Sequence, residues 1–366
     1  MKQFFLQKHI LILLAAFAIS RILLMFFNIN MDYDSINVYW QYLSMESLQH
    51  NLLKGVWYNH TQPPIFNLFL GLIVKLSGSY AGFVFSVVFK VITIVNVILL
   101  YNSSKILVGS SRIPLVLSLI YLLSPATMIL ENELFYTTFI TMLLLISCNC
   151  LLRFTKTHSL KYVWGFFLSL SVVCLTRSMY NIMWLVVIAI AVIFYFRKTA
   201  PAQLVVIASC CILLTSSWYI KNYFIFGKFT TSTWLGMNLA RNVFHDFTQL
   251  DSSKIESIEP FSKISSYQPF LSGSLEKKYA GLNDIELLNE FKNGGHINEN
   301  HINYIEVSEK YGEVSKKYIV RNPVSYFKNV LQSCVIFFVP ATHYPYAINQ
   351  AKKIWWYDVA YSFNLS

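Results

Sequence analysis

The sequence predicts an all-α polytopic membrane protein, with about eight transmembrane helices, a short interfacial helix and a partly folded outer loop. Three observations predict it. Of 366 residues, 55% are hydrophobic and 13% charged, against about 25% charged in soluble domains; the mean hydropathy is +0.48. The apolar residues gather into runs near the length that a bilayer-crossing helix needs, about 20 residues. Lys and Arg then recur at every second connection between those runs, the pattern of the positive-inside rule.

The candidate runs are 9–28, 81–103, 113–130, 134–153, 161–176, 179–196, 202–219 and 325–341. The first follows Lys2 and Lys8 and has the look of a signal peptide. Its apolar part is too long and no small-residue cleavage site follows, so it is expected to remain as a first span. The run "IFNLFLGLIVKLSG" at 65–78 is short and begins directly after Pro63-Pro64; at about 10–14 residues a run fits an interfacial or re-entrant helix better than a span. Parity agrees. With that run left out and the N-terminus cytoplasmic, Lys105 and Arg112, Arg153, Lys156 and Lys161, Arg197 and Lys198, and Lys352 and Lys353 all lie inside.

Three segments then lie outside: the loop 29–80, the turn Glu131-Asn132-Glu133, and residues 221–324. The expected organisation is a transmembrane core 1–220 containing the first outer loop, an outer region 221–324, and a last helix with its tail, 325–366. A bacterial inner membrane suits this composition. The segment 221–324 is too long for a simple connection. Within it "GSLEKKYAGLNDIELLNEFKNGG" reads as a short helix ended by Gly294-Gly295, and 302–320 as a second helix.

Composition also excludes several classes. The net charge of +11 is accounted for by cytoplasmic loops, and no basic patch interleaved with exposed aromatics points to nucleic acid. Cys148, Cys150, Cys174, Cys210, Cys211 and Cys334 all fall in apolar runs, as small buried hydrophobes rather than a disulfide framework or zinc site. Walker, dinucleotide and HExxH signatures are missing, so neither ATP-driven nor zinc chemistry, and no cofactor, is expected.

The stretch "NINMDYDSINVYWQYL", 28–43, places Asp32 and Asp34 just beyond the first span. The pattern Ile36, Tyr39, Trp40, Leu43 after them is expected to lie along the membrane surface. A carboxylate there is either a general base for an acceptor hydroxyl or a solvated loop acid. In "HTQPPIF", the prolines either hold His60 and Gln62 near the headgroups or simply start a helix. Arg21, inside the first span, serves a partner or wet cavity or snorkels to the surface. Glu131 and Glu133 are turn acids or site-lining groups. Arg177, in "LTRSMYNIMW", breaks the inside bias, and an anionic phosphate would supply a reason. Lys221 leaves the run 202–219 beside Trp218 and Tyr219, as an interfacial anchor or a functional cation, with Asn222 following. Gly236 and Arg241-Asn242 mark a backbone close to a ligand or a surface turn. Asn59-His60-Thr61 matches a glycosylation sequon, too common a pattern to set the organism.

Taken in order, "DYDSINVYW", "QPPIF", "SPATMILENEL", "WYIKNYFIFGKFTTSTWLGMNL" and "RNPVSYF" resemble the motif series of the GT-C superfamily of polyprenyl-phosphate-dependent glycosyltransferases. The nearest likeness is to the bacterial branch related to protein O-mannosyltransferases and lipid A aminoarabinose transferases. It covers residues 15 to about 340. The resemblance implies that Asp34 matches the catalytic aspartate, with Asp32 competing for the role, and that Gln62-Pro63-Pro64 match the Pro-Pro motif. Glu133 matches the second acidic turn, and Lys221 and Asn222 occupy the Arg-Asn positions. Ser35 stands where many relatives have Glu and Lys221 where Arg is usual, and relatives usually carry further spans beyond Trp355-Trp356.

The implied activity is an inverting transfer of sugar from a polyprenyl-phosphate donor to a hydroxyl of an acceptor lipid, glycan or protein at the outer face. Asp34 would act as general base and Arg177 and Lys221 would hold the phosphate, without metal or nucleotide. A transporter or flippase of lipid-linked sugars, a surface-polysaccharide polymerase or ligase, and a non-catalytic scaffold remain as alternatives.

Overall fold

In an apolar surrounding each backbone N–H and C=O must be satisfied within its own segment, and the apolar runs accordingly fold as helices in the computed structural model. It describes residues 2–33, 35–110, 112–244, 274–282, 285–292, 295–338, 342 and 347–363. The helices are α1 Lys2–Phe26, α2 Ser35–Val38, α3 Met45–His50, α4 Leu52–Tyr58, α5 Pro64–Ser77, α6 Ala81–Val108, α7 Arg112–Leu123, α8 Pro125–Leu130 and α9 Tyr136–Thr157. They continue with α10 Leu160–Cys174, α11 Ile182–Tyr195, α12 Pro201–Phe226, α13 Leu235–Phe244, α14 Ser274–Lys278, α15 Tyr304–Arg321, α16 Pro323–Phe337, α17 Ile348–Lys353 and α18 Trp355–Phe363. Among the described residues extended pairing is limited to two isolated bridges, Asp32 with Glu133 and Phe291 with Ile297.

The chain has the helices of an α-helical membrane protein. Four apolar stretches among the described residues are long enough to cross a bilayer: Lys8–Phe26, Pro64–Val108, Tyr136–Thr157 and Pro201–Phe226. Arg112–Leu123, Leu160–Cys174 and Ile182–Tyr195 are apolar but shorter. The boundaries depart from the sequence expectation at identifiable residues. The run 113–130 is divided because Pro125 offers no N–H and drives Ser124 to an extended conformation, φ −58° and ψ 127°. The short run after Pro63 is α5, which joins α6 through a turn at Gly78, φ +52°. The expected short helix that Gly294-Gly295 would end is divided as well: α14 stops at Lys278, and a single tight turn, Glu286–Leu288, follows later. The helix expected over 302–320 is α15, Tyr304–Arg321.

The chain falls into two compact units. The first comprises Met1–Ser35, Leu72–Trp218 and Pro340–Ser366. Here α6 packs on α7 and α9, and α9 on α10. One core gathers Phe154, Phe167, Leu170, Leu185 and Leu204; another joins Leu13 of α1 to Val97, Tyr101 and Leu122. Ala347, Ala351 and Ile354 pack on Leu24, Ile29, Met128 and Ile129, where the Tyr357 hydroxyl donates to the Leu123 carbonyl at 2.6 Å. Many large apolar side chains of these helices point outward, among them Leu11, Met25, Phe26, Phe83 and Phe194. Apolar surface on this scale marks a membrane or partner face.

The second unit comprises Ile36–Gly71 and Tyr219–Val339. Its helices α13 and α15 cross at glycine. A Cβ on Gly236 would lie 1.7 Å from the Ser308 carbonyl oxygen and 2.8 Å from the Gly312 nitrogen, so only a residue without a side chain fits. Gly236 therefore serves a helix–helix contact, which corrects the expectation of a backbone near a ligand or a surface turn. The first-loop pattern is corrected too. Helix α2 ends after one turn, and Ile36, Tyr39 and Leu43 are buried in the core of this unit rather than laid on a membrane surface.

Candidate functional site

In the first unit the chain leaves α1 through Asn28, whose φ of +53° is a left-handed conformation that Asn tolerates. Asp32 follows. Its N–H donates to the Asn132 carbonyl at 3.0 Å, and the bridge pairs it with Glu133. Two acidic segments a hundred positions apart in the sequence thus meet backbone to backbone. The exposed Asp32 carboxylate accepts the Ser35 N–H at 3.2 Å, and the Ser35 hydroxyl donates back to the Asp32 carbonyl at 2.9 Å. The pair closes a local turn on the approach to α2. Asp34, the expected base, lies outside the described residues.

The facing turn is held by the Asn132 amide, which donates to the Met128 carbonyl at 2.9 Å. Glu131 and Glu133 are both buried, so neither is a solvated turn acid. The Glu131 carboxylate accepts two donors of Arg21, Nη2 at 2.8 Å and Nε at 3.1 Å. Arg21 Nη1 donates to Ser20 Oγ at 2.9 Å and to the Leu122 carbonyl at 3.1 Å. Phe17 covers the guanidinium at 4.7 Å. Arg21 is buried and does not snorkel.

Lys90 of α6 faces the same pair, Glu131 and Arg21 being the charged groups around it. Its ammonium bonds the Ser86 hydroxyl. Arg177 stacks its guanidinium 4.7 Å from the ring of Tyr136, the residue that opens α9 after the acidic turn. Further along α6, the Asn96 amide donates to the Thr138 carbonyl at 3.1 Å and the Tyr121 hydroxyl at 3.4 Å. Asn96 Oδ1, Thr93 Oγ1 and Ser118 Oγ are buried without a hydrogen-bond partner among the described residues.

The other expected residues belong to the second unit. His60 is fully buried rather than held at headgroups, because the first loop folds inward. Its Nε2–H donates to the Asn300 carbonyl at 3.1 Å, and Nδ1 accepts the Thr233 hydroxyl at 2.7 Å. Burial pushes this imidazole down to about 3, so the neutral tautomer is fixed by its two bonds. The Gln62 N–H and the Thr61 N–H and hydroxyl all approach Asn59 Oδ1. Lys221 donates to the Trp57 carbonyl at 2.8 Å and lies 5.6 Å from the Phe226 ring. The Asn222 amide donates to the Thr230 carbonyl at 2.6 Å, and its Oδ1 is buried without a partner among the described residues. Arg241 is exposed, its guanidinium 5.2 Å from the Trp40 ring.

These residues sit in a polar core that the sequence does not announce. The Lys292 ammonium donates to the carbonyls of Tyr39 at 3.2 Å, Trp40 at 3.4 Å and Tyr42 at 2.5 Å. The Glu286 carboxylate accepts the Ser44 N–H and the Asn300 amide. Asn298 donates to the Asn289 carbonyl at 2.7 Å and accepts the Asn300 N–H at 3.0 Å. Burial lowers the Lys292 ammonium, opposed by Glu286 and Glu299, and raises the Glu299 carboxyl, opposed by Lys292 and Arg241. Neither type of residue nor spacing marks these positions in advance. Lys90 differs: an ionisable residue in the apolar run 81–103 is itself a signal, and the expected set omits it.

Among the described residues no group of three or more His, Cys, Asp or Glu side chains stands together to hold a metal ion. The chain matches no protein-family model, no curated protein and no solved structure.

Proposed function

We propose that this chain is a membrane glycosyltransferase of GT-C type that moves a sugar from a polyprenyl-phosphate donor to an acceptor hydroxyl. The observation that carries this reading is the meeting of the Asp32 segment with the Asn132-Glu133 turn, the motif that the family resemblance makes catalytic and the one it matches to the second acidic turn. Under this reading the chain crosses a bacterial inner membrane about eight times, with a cytoplasmic N-terminus and the acidic junction on the outer face.

Asp34 accepts the proton of the acceptor hydroxyl as its oxygen attacks the anomeric carbon opposite the phosphate, a single displacement that inverts configuration. Arg177, close behind the acidic turn, meets charge growing on the departing lipid phosphate. Asp32 takes a positioning role through its bond to the Ser35 N–H, and Lys221 one through its bond to the first-loop backbone. Donor and acceptor are the only partners required, and the residues supply base and cation without a cofactor.

The test is transfer by the purified chain in lipid nanodiscs with a radiolabelled polyprenyl-phosphate sugar. Asp34→Asn is expected to insert normally and to lower transfer about a hundredfold or more. Arg177→Ala is expected to weaken donor use first. Wild-type rates in Asp34→Asn would remove the assignment.

One observation favours a second reading, transport of a lipid-linked sugar. Lys90, Arg21 and Glu131, together with the Thr93 and Asn96 oxygens that have no hydrogen-bond partner among the described residues, are polar groups of a kind that line pathways through membranes. Donor movement across sealed vesicles without any transfer would select it.

A further inference from the structure

We infer that the second unit carries a saccharide-binding subsite, formed by Glu299, Arg241 and Tyr304 beside the stacked pair Trp40 and Trp234. The two indole rings lie 4.4 Å apart and 4° from parallel. Trp234 is buried and Trp40 half-buried. The Tyr304 ring stands 6.4 Å from Trp234, and the exposed Arg241 holds its guanidinium 5.2 Å from Trp40. Glu299 faces Lys292 and Arg241 and is the charged neighbour of Tyr304.

Two polar atoms of this cluster are unsatisfied. Glu299 Oε2, an acceptor, and Trp234 Nε1, a donor, are both buried without a hydrogen-bond partner among the described residues. Lys292 does not supply the missing donor, since its ammonium is engaged by three backbone carbonyls. Buried polar groups are paired in the great majority of cases, and an exception asks for an explanation such as a ligand.

The chemistry of these two atoms narrows that ligand. A hydroxyl donates to the carboxylate oxygen and accepts from an indole N–H or a guanidinium. The half-buried Trp40 and Tyr304 add apolar ring edges to the cluster, against which C–H groups can rest. Glu299 and Arg241 balance in charge, so a phosphate would meet a carboxylate and a metal ion or amine would meet a guanidinium. A neutral sugar ring, with many hydroxyls and one apolar face, suits every member of the set. The subsite stands on residues of the second unit alone; the transferase reading enters at one point only, that the saccharide bound there is one of that enzyme's glycan substrates.

The test uses the full chain in nanodiscs and a panel of neutral methyl glycosides and disaccharides, read by tryptophan fluorescence and saturation-transfer NMR. At least one member is expected to bind saturably, and Glu299→Gln, nearly isosteric, to weaken it tenfold or more. Trp40→Ala is expected to abolish the fluorescence response. Absence of saturable binding across the panel, wild-type affinity in Glu299→Gln, or displacement by inorganic phosphate each overturns the subsite. Binding is read without turnover, so the subsite is scored separately from transfer. Binding without any transfer by the wild type would sink the transferase and leave the subsite standing; transfer without dependence on Glu299 would do the reverse.

Discussion

Replacing Glu131 by Ala should be among the most damaging single changes in the first unit. Three contacts of 2.8, 3.1 and 3.3 Å join it to Arg21, with side-chain exposures of 6% for Arg21 and 0% for Glu131. If these were ordinary polar contacts between helices in a bilayer, at about 0.6 kcal/mol each, their loss would total about 2 kcal/mol. The variant also strands a buried guanidinium, and breaking a buried pair typically costs about 3–5 kcal/mol. The higher figure is expected, since Ser20 and the Leu122 carbonyl are neutral and cannot neutralise the charge. The double variant Arg21→Met with Glu131→Leu removes both charges and should recover to within about 1 kcal/mol of the wild type. Reversible unfolding in mixed micelles of the wild type, Arg21→Met, Glu131→Leu and the double variant gives the coupling energy directly. A loss below about 1 kcal/mol in Glu131→Ala, or a double variant as unstable as the sum of the singles, would refute the reasoning.

Other outcomes follow from particular contacts. Gly236→Ala should cost about 1–3 kcal/mol, the range for overpacking, because the added carbon meets the Ser308 backbone at 1.7 Å; faster proteolysis within the second unit checks it. Lys292→Met should leave the Trp40 carbonyl without its donor, while the Tyr39 and Tyr42 carbonyls keep the Tyr42 N–H and the Asn300 amide; the cost is about 1–3 kcal/mol if the Trp40 group stays dry, seen as a red shift of tryptophan emission. His60 is held neutral, its folded value about 3 against 6.5 unfolded. The unfolded chain therefore binds the proton first, and the stability His60 contributes is complete above pH 6.5 and falls as pH drops toward 3. The slope is about 1.4 kcal/mol per pH unit, and His60→Gln should show a shallower loss between about pH 6.5 and 5. Equal slopes would dismiss the assignment.

Much of the helical order was legible because apolar length and basic punctuation are local signals. Pro63-Pro64 marks a helix start and α15 lies close to where its periodicity places it, whereas the break at Pro125 was passed over within the run 113–130. The acidic segments around Asp32 and Glu133 were legible as candidates, but their pairing was not, since a backbone hydrogen bond between distant turns leaves no trace in side-chain pattern. Arg21 and Glu131 stood in the same expected set without being matched to each other, for the same reason. His60 misled because a histidine beside two prolines looks like a surface loop, whereas Thr233 and Asn300, which bury it, lie far along the chain. Glu286, Lys292 and Asn300 sit in a region of mixed polarity where any charged residue passes for a solvated one. Only their long-range partners distinguish them.

The polar core of the second unit has a consequence for biogenesis. Asn300 and Tyr42, which bond through amide and carbonyl, are separated by 258 positions. At about 5–20 residues per second, a ribosome needs on the order of ten to fifty seconds to make that interval. Throughout it the nascent loop waits with the Trp40 and Tyr42 carbonyls, which the late-arriving Lys292 and Asn300 side chains cap. A holdase that shelters this early loop, or a pause that delays it, would then govern yield more than any step within the helices themselves.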